Sequence, residues 1–450
     1  MPKSSKSPKV RQGKAFVLKK AQDDNVRFIR LWFSDIQGLL KSFAITVDEL
    51  EEAMEQGKGF DGSAIEGLAR SDESDMRAAP DPSTYQILPW RPRENAVARM
   101  FADIVDMHGA PSEGDPRQCL KRHLKKAADL GFTFYVGPEI EYFYFQNSEH
   151  TKPLDQGGYF DLTSLDAASD LRRETVLTLE EMGVGVESSH HEAAPSQHEI
   201  DLRYTDALTM ADNTMTYRLV VKEIALKNGV YATFMPKPLK NENGSGMHVH
   251  QSLFKGDKNA FYDKNDKHHL SKTAKHYIAG LLKYAPQMCI VTNQWVNSYK
   301  RLTPGYEAPV YTFWGKKNPH ALVRVPAYKS GRESAMRAEL RSPDAACNPY
   351  LAFAVMLAAG LEGIRHGFEL PEPVEQSVHS MSDADRGKKG IQLLPQSLGE
   401  AIAIAQDSKF LKEALGEHIY RSLLENKKIE WNKYCAEITH YEIEKYLPIL

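Results

Sequence analysis

The sequence FTFYVGPEIEYFYF, at residues 132–145, sets two acids among aromatic and β-branched residues. This composition predicts a β-strand, and the two-residue period of a strand places Glu139 and Glu141 on the same face. Two carboxylates on a largely apolar face repel each other unless a cation joins them. The alternative is a solvated edge strand, which the apolar residues on both sides of the pair disfavour.

Three more segments place charged or imidazole side chains close together. ESSHHEAAPSQHE (187–199) contributes Glu187, Glu192 and Glu199, His-Val-His (248–250) contributes two imidazoles on one strand face, and RAELR (337–341) contributes a plus, minus, plus series. Each segment alone is compatible with a salt-bridged or solvated face. Four such segments in one chain favour a shared site.

Many carboxylates combined with one or two imidazoles favour Mg²⁺ or Mn²⁺. A zinc site built from His190, His191, His248 and His250 is the less favoured alternative. The chain contains no GxxxxGK[ST] loop and no complete GxGxxG sequence, so metal ions and arginines would have to hold any nucleotide. Two hard cations flanked by arginines suit phosphoryl transfer, because they neutralise the phosphates and the transferred group.

Length and composition indicate a globular protein with more than one domain. A chain of 450 residues corresponds to about three domains, or to one large and one small. Usage of 42% hydrophobic and 26% charged residues excludes a largely disordered or fibrous chain, and the net charge of −3 argues against nucleic-acid binding through bulk charge. The Gly- and Pro-rich segment HGAPSEGDP (108–116) predicts a boundary between a domain over 19–108 and a domain over 109–450.

The chain carries features of a cytoplasmic protein. No apolar run reaches the ~18–20 residues of a membrane-spanning helix. The basic, Ser-rich start lacks the apolar segment of a secretory signal, so residues 1–18 are predicted as a disordered tail. The four cysteines match no disulfide or CxxC zinc spacing, which favours reduced thiols.

Strand-like and helical segments mix along the chain without a regular βαβ alternation, which predicts an α+β fold. Residues 26–45 predict two strands around a turn. A helix should follow, with Thr46 as its N-cap and Glu49 completing a capping box. Residues 349–366 predict a buried helix.

Eight segments form an ordered set of motifs. They are FDGSAIEG (60–67), GPEIEYF (137–143), GGYFDL (157–162), ESSHHEAAPSQHEID (187–201), ATFMPKPL (232–239), NGSGMHVHQS (243–252), NSYKRLTPGYEAPVY (297–311) and RAELRSPDAACNPYLAFAV (337–355). In this order, and covering about residues 20–450, they resemble the type I glutamine synthetase family.

The resemblance implies an architecture and a reaction. The fold would be a small N-terminal β-grasp domain followed by a larger catalytic domain with a curved antiparallel sheet and helices. Twelve subunits would form two stacked hexameric rings, with active sites between neighbours. ATP, glutamate and ammonium would react through γ-glutamyl phosphate to give glutamine, with two or three Mg²⁺ or Mn²⁺ ions per site. Allosteric effectors and a small regulatory protein partner stay open.

The resemblance also implies roles for single residues. One metal would be bound by Glu141, Glu192 and Glu199, and a second by Glu139, His248 and Glu339. Glutamate would contact Asn243, Gly244, His248, Arg301, Glu307 and Arg341. ATP would contact Glu187, Tyr204, His250, Ser252, Arg324 and Arg337. Ammonium would bind Tyr159, Glu192 and the Asp61 of a neighbouring subunit. The chemical steps would involve Asp61, Glu307, Arg337 and Arg341.

Two further positions match family features and have an ordinary alternative. Glu307 resembles the flap that shields the acyl phosphate from water, although a common surface loop is the alternative. Arg70 matches an arginine that mediates glutamine feedback in a subgroup of the family, although a surface salt bridge is equally compatible.

The chain departs from the family pattern at two places. Pro319 stands where the family has an arginine that contacts the transferring phosphate, and losing that contact could cost about 2–4 kcal/mol of transition-state stabilisation. Lys316, Lys317 or His320 could compensate. His379 stands near the tyrosine of adenylylated members, which predicts no adenylylation.

Three functions therefore stay open at the level of sequence. Asp61 favours a biosynthetic glutamine synthetase. Pro319 and His320 keep open a γ-glutamyl-amine ligase that uses a small amine or polyamine. A catalytically weakened or non-catalytic homologue is disfavoured by six intact metal ligands, because unused buried carboxylates would be costly.

Overall fold

The structure is a computed structural model that describes residues 13–67 and 75–450. The N-terminal elements are α1 (Lys14–Asp23), β1 (Val26–Ser34), β2 (Leu40–Thr46), α2 (Leu50–Gln56), β3 (Lys58–Asp61), β4 (Asp75–Pro80), β5 (Gln86–Ile87) and β6 (Ala96–Val105). The larger C-terminal part begins with α3 (Pro116–Asp129), β7 (Thr133–Phe145), α4 (Ser169–Glu181), β8 (Val186–His191), β9 (Gln197–Leu202), β10 (Thr205–Asp206), α5 (Ala207–Lys227) and β11 (Tyr231–Thr233). It continues with β12 (Met247–Lys255), β13 (Lys258–Asn259), α6 (Lys272–Thr292), α7 (Ser298–Arg301), β14 (Trp314–Gly315), β15 (Val323–Arg324), β16 (Ala338–Leu340) and α8 (Pro349–His366). The last helices are α9 (Asp383–Lys388), α10 (Leu398–Gln406), α11 (Lys409–Leu415), α12 (Glu417–Cys435) and α13 (His440–Tyr446).

The N-terminal sheet has the order β2-β1-β6-β4-β3, with β5 added beside β6. Strands β1 and β6 pair in parallel, and the other pairs are antiparallel. The two strands predicted over 26–45 are confirmed as β1 and β2. The predicted capping box is wrong. A short 3₁₀ turn at Val47–Glu49 precedes α2, and the Thr46 side chain makes no cap hydrogen bond, because the tighter turn changes which N–H groups are free.

The end of the predicted tail is corrected by α1. This helix includes residues 14–18, and its Val17 and Ala21 are buried in the apolar core of the N-terminal sheet. Burial of these two side chains orders a segment whose composition alone indicated disorder. Residues 1–12 lie outside the described ranges.

The second sheet follows the order β14-β15-β16-β12-β7-β9-β8, with β10 and β11 beside β7 and β13 beside β12. The pairing of β14 with β15 is parallel. The sheet is therefore mixed, whereas the resemblance implied an antiparallel one. The α+β class is confirmed. Long central strands β7 and β12 carry the acids and imidazoles that the sequence singled out.

Arg117 joins the two parts of the chain. Its guanidinium contacts Asp81 at 2.8 Å and Asp103 at 2.6 Å in the N-terminal part, and Asp212 of α5 at 3.0 Å. The Asp115 side chain caps α3 by accepting from the Arg117 N–H, as a Pro-initiated helix favours. These buried, charge-assisted bonds hold the N-terminal sheet against the helices behind the second sheet.

The buried helix predicted at residues 349–366 is confirmed as α8. It crosses α6 in backbone contact, since a Cβ at Gly280 would meet the Ala359 carbonyl oxygen at 2.1 Å and one at Gly363 would meet the His276 carbonyl oxygen at 2.0 Å. Among the described residues no helix has the length and apolarity needed to cross a bilayer.

Gly280→Ala should therefore destabilise the protein by about 1–3 kcal/mol, because overpacking forces the two helices apart. The measurement is the urea midpoint of unfolding at a fixed protein concentration. Gly387→Ala is the matched control, since no atom lies within 4 Å of a Cβ built there in α9. Equal midpoints for the two variants would contradict the close crossing.

Candidate active site

Strand pairing brings the predicted acids and imidazoles onto one face of the second sheet. His248 of β12 lies opposite Glu139 of β7, and Glu141 of β7 lies opposite Glu199 of β9. Glu339 of β16 lies opposite His250. The strand assignments that placed Glu139 with Glu141 and His248 with His250 on one face are thus confirmed, since directly paired residues share a face.

Glu139, His248 and Glu339 form the first group of potential metal ligands. Their ligand atoms all lie within 4.8 Å of one another. His248 Nδ1 is 3.5 Å from Glu139 Oε2 and 4.0 Å from Glu339 Oε1. Burial and the charge of Arg341 lower the pKa of His248, which favours the neutral imidazole that a metal ion requires.

The second group comes together around Glu199. The ligand atoms of Glu141, Glu199 and His248 lie within 4.8 Å of one another, as do those of His190, Glu192 and Glu199. Glu199 belongs to both sets, so the three acids predicted for one metal border a common region. His190 Nε2 lies 2.9 Å from Glu192 Oε1, which adds an imidazole that the Mg²⁺ prediction had not included.

The electrostatics of this second group indicate a cation. Burial and the charge of Glu192 raise the pKa of Glu141. Burial and the charge of Glu141 raise the pKa of Glu199 well above its ordinary value. A divalent cation would relieve this repulsion, and a donor set dominated by carboxylate oxygens fits Mg²⁺ or Mn²⁺.

The four histidines proposed for the alternative zinc site do not lie together in the structure. Among the described residues, no group of potential ligands contains more than one of His190, His191, His248 and His250. His191 instead contacts Asp155 at 3.2 Å and the Glu192 carbonyl at 2.7 Å. The geometry therefore favours the two carboxylate-rich groups.

Arginines surround the first group. Arg324 Nε and Arg341 Nη1 both donate to the buried carboxylate of Glu339. Burial opposes ionisation there, but the charges of His250 and Arg341 outweigh it and lower the pKa of Glu339. Arg337 Nε donates to His250 Nδ1 at 3.0 Å. These cations line the face on which a polyphosphate would have to lie.

Arg301 is fully enclosed, and its donors are engaged by the backbone. Its guanidinium donates to the carbonyls of Ser342 at 2.8 Å, Pro343 at 3.3 Å and Arg341 at 3.2 Å. A Cβ at Gly246 would meet Arg301 Nη2 at 2.5 Å, so only glycine fits above it. Arg301 therefore has a structural role, in addition to the contact with the glutamate carboxylate that the resemblance implies.

A small cavity borders both potential metal groups. It is lined by Glu141, Glu192, Gln197, Asn243, Gly244, His248, Arg301, Tyr306, Glu307 and Ala308. Most residues predicted to contact glutamate therefore meet here. Sequence reasoning missed Gln197, whose amide donates to Glu141 Oε2 at 2.9 Å and to the Gly244 carbonyl at 3.1 Å. Its position two residues before Glu199 on β9 was the available signal.

The residues predicted to contact ATP extend from this cavity along the sheet. His250 and Ser252 continue the face of His248 on β12, and Ser252 pairs with Tyr135. Tyr204 is 56% exposed, and its ring lies 6.0 Å from the ring of Tyr135. Glu187 is exposed at the start of β8. Tyr204 and Glu187 are therefore open to solvent, whereas Ser252 is buried.

The predicted ammonium ligands are divided between distant elements. Tyr159 is 57% exposed, and its ring lies 5.4 Å from His190 at the edge of the second group. Asp61 ends β3 in the N-terminal sheet, where its carboxylate accepts from the Ser63 N–H and hydroxyl. Its supply by a neighbouring subunit stays a prediction. Arg70 lies outside the described residues, and Pro319 is exposed in the loop between β14 and β15.

Two family models cover most of the chain. The model for the glutamine synthetase beta-grasp domain matches residues 25–107, and the model for the glutamine synthetase catalytic domain matches residues 113–446. The glutamine synthetase of Mycolicibacterium smegmatis is 52% identical over 97% of this chain and 99% of its own length. That of Methanosarcina mazei is 51% identical over 96% and 97%.

Solved structures agree with these relatives. A complex of GmaS with ADP has a TM-score of 0.87 and 30% identity, covering 96% of this chain and 99% of its own. The glutamine synthetase of Plasmodium falciparum has a TM-score of 0.88 over 96% and 98%, and at 24% identity it supports the fold alone.

The stability of Glu141→Gln, with and without metal, should distinguish the effect of metal binding from that of repulsion between the acids. Without metal, the raised pKa of Glu141 makes the wild type lose stability as pH rises from the ordinary carboxyl value of 4.5 through that raised pKa. Glutamine has no proton to lose, so the metal-free variant should be more stable than the wild type at pH 8. Mn²⁺ should raise the unfolding temperature of the wild type much more than that of the variant.

Glu149→Gln provides the matched control, because Glu149 is exposed in a loop. It should respond to pH and Mn²⁺ as the wild type does. An equal stabilisation of Glu141→Gln and the wild type by Mn²⁺ would contradict the assignment of Glu141 to a metal.

Proposed function

The chain belongs to the glutamine synthetase family, and we propose that it joins ammonia to the γ-carboxylate of L-glutamate with ATP as phosphoryl donor. The products are L-glutamine, ADP and phosphate. One observation carries the proposal: two carboxylate-rich ligand groups share a sheet face with arginines and open onto the small cavity. This arrangement suits activation of a carboxylate by phosphoryl transfer.

The first step transfers the γ-phosphoryl group of ATP to a glutamate carboxylate oxygen. Arg324, Arg337 and Arg341 hold the phosphates by charge-assisted bonds. The two ligand groups would hold metal ions, which would supply neutralisation of the developing charge. Asn243 and Gly244 contact the amino acid end of glutamate, so that the acceptor oxygen is positioned in line with the phosphorus.

The second step is attack of ammonia on the acyl phosphate, which expels phosphate. Ammonium must first lose a proton, and a cluster of carboxylates both concentrates the cation and accepts that proton. Glu192 and Tyr159 would provide one side of this site. Asp61 from a neighbouring subunit would provide the other.

The loop at Glu307 would keep water from the acyl phosphate. Glu307 is exposed on its outer side and also lines the cavity, and the neighbouring Tyr306 ring lies 3.3 Å from Lys237 Nζ. The Tyr306 hydroxyl donates to the Lys240 carbonyl at 3.3 Å. These contacts bring the loop over the cavity, and water exclusion protects reactive intermediates from hydrolysis.

We further propose a dodecamer of two stacked hexamers that works in the cytoplasm. The full-length similarity to glutamine synthetases favours a homo-oligomer. Active sites shared between subunits follow from the family resemblance, which assigns Asp61 to the site of a neighbouring subunit. The four cysteines are free thiols, which suits a reducing compartment.

A γ-glutamyl-amine ligase is the second candidate. The likeness to GmaS at 30% identity favours it, together with Pro319 and His320 in place of the family residues. The curated relatives near 50% identity favour ammonia. The two functions differ in the nucleophile and share the first step.

The wild type should release phosphate from ATP only when glutamate, Mg²⁺ and ammonium are all present. Methylamine, ethylamine and putrescine at equal concentration should give much slower release. Pro319→Arg should change the rate without changing the order of amines, because the family arginine at this position contacts the transferring phosphate and not the amine. Turnover that requires one of the larger amines would assign the chain to the ligase class, and absence of turnover with every amine would contradict both functions.

Mixing two inactive variants should restore activity if sites lie between subunits. Asp61→Ala and Glu339→Gln are each expected to lose most activity. Subunits dissociated and reassembled as an equal mixture should form roughly a quarter of their sites from one intact Asp61 and one intact Glu339. Each variant dissociated and reassembled alone is the control. No recovery in a reassembled oligomer of wild-type size would show that one chain supplies both residues.

A further inference from the structure

The loop between β14 and β15 carries the chain's main departure from its family. Pro319 is exposed there and has neither a side-chain donor nor a backbone N–H. The next residue, His320, is half-buried.

Glu375 fixes the conformation of this loop. Its carboxylate accepts three backbone N–H groups, from Lys316 at 2.7 Å, Lys317 at 2.9 Å and Asn318 at 3.1 Å. Burial opposes its charge, but these bonds outweigh burial and lower the pKa of Glu375. The Asn318 amide also donates to the carbonyls of Val374 at 3.2 Å and Gln376 at 2.9 Å. The loop is thus held in place before any ligand binds.

The same loop is hydrogen-bonded to the segment RAELR (337–341), which carries Glu339 and two arginines. The Arg341 N–H donates to the Leu322 carbonyl at 3.0 Å. At the tip, the His320 N–H donates to Asn318 Oδ1 at 3.0 Å. His320 therefore lies between two fixed points of the loop: Glu375 holds the segment before it, and Arg341 holds the segment after it.

The imidazole of His320 packs against another ring and also interacts electrostatically with charged residues of the active site. Its ring packs edge-to-face against His379 at 5.4 Å, and His379 packs against Tyr311 at 5.5 Å. Burial and the charges of His379 and Arg341 lower the pKa of His320, whereas Glu307 raises it. The ring is therefore mainly neutral near pH 7, and charged groups of the cavity wall lie within electrostatic reach.

One ring nitrogen of His320 lacks a partner. Its Nδ1 is buried and, within residues 13–67 and 75–450, has no hydrogen-bonding neighbour. An unsatisfied buried polar atom costs free energy, so such atoms in native sites commonly await a ligand or water. The charges that act on the ring include those of Arg341, which the proposed function places with the phosphates, and of Glu307, which lines the cavity.

We propose that His320 contacts the phosphoryl group during its transfer and supplies, as a neutral imidazole N–H, the hydrogen bond that Pro319 cannot donate. This inference rests on the proposed function. In the step concerned, the bond from the ATP γ-phosphorus to its bridging oxygen breaks and its electron pair leaves with ADP. A glutamate carboxylate oxygen donates the pair that forms the new bond. His320 donates a hydrogen bond throughout and transfers no proton.

Kinetics of His320 variants test the contact. His320→Ala should lower kcat by about 10- to 150-fold, the value of one hydrogen bond to a charged group. The KM values for ATP and glutamate should stay within about threefold, because the bond forms mainly in the transition state. His150→Ala is the matched control, since His150 is exposed in a loop, and it should behave as the wild type.

Two conservative variants distinguish a donor role from packing. His320→Asn places an amide N–H close to the position of Nδ1, and His320→Gln places one close to Nε2. At least one of them should recover most of the lost kcat, and which one does so identifies the donating nitrogen. Failure of both, with unfolding midpoints equal to that of the wild type, would overturn the proposal.

Binding of a phosphoryl mimic provides a readout independent of turnover. With ADP, glutamate and Mg²⁺, aluminium fluoride should bind the wild type about 10- to 150-fold more tightly than His320→Ala, since it occupies the position of the transferred group. ADP alone should bind both proteins equally. Equal affinity for aluminium fluoride, or an equal loss of ADP affinity, would overturn the contact. A wild type inactive with every amine would instead refute the proposed function.

Discussion

Buried carboxylates repel each other on one face of the second sheet, where both Glu141 and Glu199 have raised pKa values. A fold can keep such groups together only if neighbouring cations offset the repulsion or some of the carboxyl groups stay protonated. Arg324 and Arg341 do so for Glu339, whose carboxylate they both contact. Among the described residues no arginine contacts Glu199 in this way, so a bound cation would stabilise the second group more than the first.

The surrounding scaffold holds these acids at fixed spacing. The acids lie on paired central strands rather than on loops, and their spacing is therefore set by backbone hydrogen bonds. Behind the sheet, α6 and α8 cross with Gly280 against the Ala359 carbonyl, which leaves no room for the helices to shift. Arg117 fastens the N-terminal sheet to the same body. A more loosely packed frame would let the carboxylates separate and would lose the preformed groups of potential ligands.

Residues on regular strands were predictable from the sequence, because alternation alone decides which face they share. Glu139 with Glu141 and His248 with His250 are examples. Properties that depend on distant partners were not predictable. The Thr46 cap was wrong because a 3₁₀ turn replaces the first helical turn, and the burial of Val17 that orders α1 depends on strands later in the chain. Likewise, the sequence around Arg301 gives no sign that its guanidinium donates hydrogen bonds to the carbonyls of Arg341, Ser342 and Pro343.

If His320 contacts the phosphoryl group as proposed, the loop at Pro319 gives a physical reason why the site would work without an arginine there. Its shape depends on the carboxylate of Glu375 and the amide of Asn318, so the side chain at residue 319 contributes little to the fold of the loop. The loop can therefore exchange one ligand contact for another without moving. Exchange of a guanidinium for a neutral imidazole keeps a hydrogen-bond donor but removes a positive charge. Under the proposal, the site would attract phosphate less strongly than a site with the arginine. Substrate and phosphate product would then both bind more weakly, and selectivity for the transition state would depend on the geometry of the hydrogen bond.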